Sequence, residues 1–153
     1  MIASAQTLLK RAPIDKMQPR TIVHGMTYGL SPAGYDIRIQ QKVILEPGEF
    51  LLASALEYFQ MPHDLLGIVH DKSSWARKGL SVFNTVVESG WHGWLTLELK
   101  NQGHDTLHIK DGSPIAQVVF HLLDEPTVNP YNGRYQNQPS GPQRAIEADE
   151  TSK

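Results

Sequence analysis

The chain has 153 residues, a formal net charge of -2 and no cysteine, so one core-bearing domain is expected without disulfides or a structural metal. The near-neutral balance excludes nucleic-acid binding by bulk charge, and the missing cysteines exclude thiolate nucleophiles and Cys-ligated zinc together. No signal-type start and no window of membrane-spanning length occur, so a soluble cytoplasmic protein with no membrane partner is expected.

In chain order, "ASAQTLLKR" predicts a short amphipathic helix over residues 3–11, stopped before Pro13 because proline disfavours helical geometry in the residue ahead of it. Short β-type runs follow: "YDIRIQ", "KVILE", "EFLLAS", "ALEYFQ", "LLGIVH", "LSVFN", "WLTLELK", "TLHI" and "IAQVVFH", separated by Pro- and Gly-bearing turns. This spacing predicts an all-β sandwich or barrel. "SSWARKG" is the expected helical interruption, a serine capping one turn and Gly79 closing it. Residues 1–128 read as one β domain, and 129–153 as a polar tail with too little aliphatic content to bury itself unless it docks.

Several residues could carry chemistry. In "WLTLELK" the alternation sends Leu95, Leu97 and Leu99 to the core and Glu98 to the other face, where it is either a solvated strand residue or a functional carboxylate. Glu88 sits in the turn-like "VVESGWHG". In "HDKSSWARKG", Lys72, Ser73, Ser74 and Arg77 gather donors of the kind an acceptor-only phosphate needs, although a capped surface turn has the same composition. Seven histidines show no HExxH or comparable ligand spacing. Trp75, Trp91 and Trp94 suit core or interface packing, or stacking on a base. Tyr131, Arg134, Tyr135 and Gln138 put rings, a cation and an amide on the tail, a composition suited to a lid.

Taken together, four motifs and a tail spanning roughly residues 25 to 142 resemble the dCTP deaminase and dUTPase superfamily. "SPAGYDIRI", with Asp36, is similar to the first motif, and "DKSSWARKGL" to the second. "VVESGWHGWLTLEL" resembles the third motif followed by the deaminase strand Thr-Leu-Glu-Leu, "SPIAQVVF" the fourth, and "GRYQNQPSGP" the deaminase tail. The resemblance implies a distorted β-barrel or jelly-roll-like dUTPase fold, and a homotrimer with active sites at its subunit interfaces. The ligand it implies is a deoxynucleoside triphosphate, dCTP or dUTP, carried with Mg²⁺. It implies Glu98 as general base and acid in hydrolytic deamination at C4 of cytosine, with Arg77 positioning the site. Lys72, Ser73, Ser74, Gln117, Arg134 and Gln138 fall on triphosphate-binding positions. The resemblance further implies Asn84, Thr85, Val86, Val87, Glu88 and Trp91 as the nucleoside hairpin and Tyr131 and Tyr135 as part of the lid. Without cysteine the zinc route of other nucleobase deaminases, with its His and Cys ligands, is closed.

Three departures from that pattern keep a second reading open. Lys72 stands in place of arginine, keeping charge but losing the bidentate fork. Glu88 replaces the usual aspartate. The hairpin "FNTVVES" is shorter than in typical deaminases and close to dUTPase length. Diphosphatase action on dUTP or dCTP, alone or joined to deamination, is therefore the alternative to deamination alone.

Overall fold

In the computed structural model, which describes residues 1–148, helix α1 (Ala5–Arg11) leads into strands β1 (Thr21–Val23), β2 (Met26–Ser31), β3 (Gly34–Arg38), β4 (Val43–Leu45) and β5 (Phe50–Gln60). After these come β6 (Leu65–Asp71), the short helix α2 (Ser73–Ala76), β7 (Leu80–Val82), β8 (Val86–Val87), β9 (His92–Asn101), β10 (Leu107–Ile109) and β11 (Pro114–Leu122). Ser4 caps α1 by accepting from the backbone N–H of Thr7, and α2 is the expected single turn. Residues 149–153 of the polar tail lie outside the described residues.

Three sheets pack around one core in a jelly-roll-like arrangement. A six-stranded sheet runs β1-β2-β3-β11-β6-β8, a three-stranded sheet runs β5-β9-β7, and β10 pairs with β4. The core includes Tyr35, Phe59, Phe120, Ile37, Leu97 and Leu99, drawn from both larger sheets. That is the inward face of the period-two pattern in the sequence. No helix among the described residues is long and apolar enough to cross a membrane.

Two departures from the expected elements have physical causes. The runs "EFLLAS" and "ALEYFQ" form one strand, β5, which pairs along most of β9 and absorbs a register shift between Ser54 and Tyr58. In that irregular segment Glu57 is buried and takes hydrogen bonds from the backbone N–H of Arg38 at 2.9 Å and its Nε at 2.8 Å. The β1–β2 hairpin lacks the usual turn signature, because its turn is His24-Gly25 in place of Asn-Gly. Both residues nonetheless take the positive φ, 48° and 75°, that a two-residue hairpin turn requires.

Candidate functional site

Strand β9 sets the site. Leu97 and Leu99 are buried, while Thr96 and Glu98 project from the opposite side of the pleat. Leu95, expected in the core, is only half-buried and lines a cavity, because the register shift in β5 falls opposite it. Glu98 pairs across the sheet with Leu52, and its carbonyl accepts from the N–H of Phe83 at 3.0 Å. Burial pushes the Glu98 carboxyl above its ordinary range, a hydrogen bond to backbone working against the rise.

The cavity above Glu98 has a volume of about 610 Å³. Its floor is Leu52, Leu95, Thr96 and Glu98, and one wall is the hairpin Thr85, Val86, Val87 and Glu88 together with Trp91. Phe50 stands at one side, and tail residues Tyr131, Tyr135, Gln138, Gln143, Arg144 and Ala145 complete the lining. Asn84 is not in the lining. In its hydrogen-bonded orientation its amide donates to the carbonyls of Val69 and Val82, anchoring the base of the hairpin.

The tail docks on the β domain of the same chain. The N–H of Tyr131 donates to the Ser89 carbonyl at 2.8 Å, and Trp91 Nε1 to the Tyr135 carbonyl at 2.7 Å. The backbones of Gly93 and Gln138 form a parallel bridge. Gln138 Nε2 donates to the Trp94 carbonyl at 2.8 Å and to Thr96 Oγ1 at 3.0 Å. Arg134, expected at the triphosphate, donates from Nη1 to the Ile146 carbonyl at 2.8 Å and lies outside the cavity lining.

The remaining expected residues gather elsewhere. Lys72 Nζ lies 2.7 Å from Asp36 Oδ2, an ion pair in which both side chains are about one-tenth exposed. Gln117 on β11 sits opposite Asp36 in the sheet, and its Nε2 donates to Ser31 Oγ. Ser73, Ser74 and Arg77 are exposed along α2 and its C-terminal cap. None of these lines the cavity. The second-motif group and the Glu98 group thus lie apart on one chain.

Residues 35–123 match the family model described as dCTP deaminase-like. The chain belongs to the dCTP deaminase-like family. The dCTP deaminase of Pyrococcus horikoshii is 36% identical over 122 residues, covering 70% of this chain and 78% of its own. The dUMP-forming dCTP deaminase of Persephonella marina is 41% identical over 96 residues, covering 62% of this chain and 53% of its own. A dUTPase from phage phi11 of S. aureus superposes with a TM-score of 0.58 at 20% identity, over 79% of this chain and 94% of that one. At that identity the likeness speaks for the fold alone, and the dCTP deaminase-like chain has the dUTPase fold expected of it.

Within this dCTP deaminase-like chain, the apolar floor and the end of the strap have no signature in the sequence motifs. Leu52 enters only through its pairing with Glu98, which no local motif encodes. Thr96 was legible, being two positions before Glu98 on the same strand face. Gln143 and Arg144 lie beyond the motif-bearing part of the tail.

Proposed function

We propose that this chain hydrolytically deaminates dCTP to dUTP and ammonia, with Glu98 as the proton carrier. The observation that carries the reading is the half-buried Glu98 carboxyl, raised by burial, on the floor of a largely apolar cavity of nucleoside size, in a chain of the dCTP deaminase-like family. As its carboxylate, Glu98 takes a proton from a water that adds to C4 of the base, and the proton passes to N3. The new C4 hydroxyl then gives up its proton by way of Glu98 to the amino group. The C–N bond breaks, ammonia leaves and the carbonyl forms. Both hydrogens of the water are accounted for, one at N3 and one on ammonia.

The hairpin Thr85 to Glu88 and Trp91 would hold the nucleoside, and Gln138 with Tyr131 and Tyr135 would close over it. Phosphate contacts fall to Ser73, Ser74, Gln117 and Arg134, with Lys72 supplying charge from its pair with Asp36. Arg77 would position the reacting end. Because Arg77 and the α2 hydroxyls do not line the cavity of their own chain, the reading includes a homotrimer in which a neighbour's α2 completes each site. Beside the cavity Phe50, Phe83 and Val86 are each about half exposed, Phe50 stacking on Phe83 at 5.9 Å, an apolar rim suited to a subunit contact.

Magnesium fits as a companion of the substrate. Among the described residues no three His, Asp or Glu side chains converge as a metal cage, and a hard cation that prefers oxygen is served by the triphosphate itself. Bound there it would neutralise phosphate charge.

A second reading is favoured by Glu88, which lines the same cavity as Glu98. A carboxylate there could direct water at the phosphate chain, so that dUMP and pyrophosphate follow deamination. Incubating the protein with Mg²⁺ and dCTP or dUTP, then resolving dUTP, dUMP, dCMP and pyrophosphate, separates the readings. Conversion of dCTP to dUTP that stops there supports deamination alone. Formation of dUMP that Glu88→Gln abolishes while dUTP still accumulates supports both activities in one chain. Monophosphate from each nucleotide without deamination would overturn the proposal.

A further inference from the structure

We infer that Thr96 is a positioning residue whose hydroxyl latches the strap formed by residues 138–145 over the cavity that holds Glu98, an inference that rests on the deaminase reading of that cavity. Thr96 Oγ1 accepts two hydrogen bonds from the strap, from Gln138 Nε2 at 3.0 Å and from the backbone N–H of Gln143 at 3.1 Å. A hydroxyl has two acceptor lone pairs, and here the tail uses both. Between these points Ser140 Oγ accepts from Gln40 Nε2 at 3.0 Å. Gln40 in turn accepts from Ser54 Oγ, and Ser54 is the cross-strand partner of Thr96. The strap is therefore pinned at positions 138, 140 and 143 to a single rung of the β5–β9 sheet, one step along the same face from Glu98.

Thr96 is buried, yet it points away from the core filled by Leu97 and Leu99. Strand propensity alone would accept valine there equally well. A hydroxyl is needed only to satisfy the strap. Valine keeps the shape, leaves the Gln143 N–H without its acceptor and leaves the Gln138 amide only the Trp94 carbonyl.

Thr96→Val, with Thr96→Ser as rescue, tests the latch. Losing two hydrogen bonds of ordinary net worth should raise KM for dCTP about tenfold, with Ser restoring it. Hydrogen exchange should quicken across residues 138–145 in the Val variant and stay slow in the Ser variant. The titratable or charged groups that share the cavity with Glu98 are Glu88, Tyr131, Tyr135 and Arg144, and Lys100 follows on its strand face. None of these is altered. Admitting water over Glu98 should therefore move the acid limb of kcat/KM to lower pH in the Val variant. If that variant does not fold, Gln143→Pro, which removes the strap's N–H at 143 together with the Gln143 side chain and fixes φ there, should give the same faster exchange and higher KM. Wild-type KM and wild-type strap protection in either folded variant would overturn the latch. A wild-type protein that turns over no dCTP would overturn the functional reading instead, while the exchange comparison would still decide the latch.

Discussion

At the scale of single residues, Glu98 pays for its position in protonation energy. Burial raises its folded-state pKa above the unfolded value, so its contribution to stability is fully present below the unfolded pKa. That contribution is lost as pH rises through the folded pKa. Glu98→Gln should therefore match or exceed the wild-type Tm at pH 7, with the difference vanishing in acid. The same variant should lose at least about a hundredfold in kcat for dCTP, since it keeps the shape and removes the base. In the wild type the reactive form is the carboxylate, so kcat/KM should fall on acidification at a pH above that of an ordinary glutamate. A pH–rate profile beside thermal melts checks all three, and a Gln variant that is both active and destabilised would contradict the assignment.

The Arg38–Glu57 pair has a different use. Glu57 is almost fully buried, its carboxyl raised by burial against the opposing pull of Arg38, whose guanidinium also lies 4.2 Å from the Tyr28 ring centre. Removing the cation strands a buried carboxylate, so Arg38→Met should cost about 3 kcal/mol in urea denaturation. Adding Glu57→Gln should recover part of that loss, because a neutral amide still accepts from the backbone N–H of position 38.

At the scale of elements, the strands whose apolar residues alternate were legible: β3, β6, β9 and β11 lie where "YDIRIQ", "LLGIVH", "WLTLELK" and "IAQVVFH" place them. Legibility failed where pairing rather than local pattern decides. The His24-Gly25 turn hides a hairpin because neither flank alternates cleanly, and β5 conceals its irregular segment because Ala55 and Leu56 read as ordinary strand. The site divides the same way. Glu98 is encoded by its own strand, whereas Leu52 and Gln143 arrive through long-range pairing. Gly93 shows how such pairing is written into sequence after the fact. At φ 148° a Cβ there would stand 2.8 Å from Gln138 N and 2.9 Å from its carbonyl oxygen, both backbone atoms that cannot swing aside. Gly93→Ala should therefore lift the strap at its first anchor. Faster hydrogen exchange from Tyr135 to Gln143, with unchanged protection in β3 and β11, is the expected result.

At the scale of the whole molecule, the separation of the α2 group from the Glu98 cavity makes a quantitative demand on the proposed trimer. If each cavity takes Arg77 from a neighbour in a cyclic trimer, the interface is heterologous and every site draws on two different chains. Arg77→Ala and Glu98→Gln should then each be nearly inactive alone. Unfolding them together in equal amounts and refolding mixes the chains at random. A site is whole when the chain supplying its floor carries the Arg77 change and the chain supplying α2 carries the Glu98 change. That combination arises in about a quarter of sites, so about a quarter of wild-type dCTP turnover should return. Sites built within one chain would recover nothing, since every chain in the mixture lacks one of the two groups. Sedimentation of the wild type at about three times the chain mass would accompany the first outcome. A monomer of full activity would place Arg77 outside the reaction and leave Glu98 to work with the hairpin and strap of its own subunit.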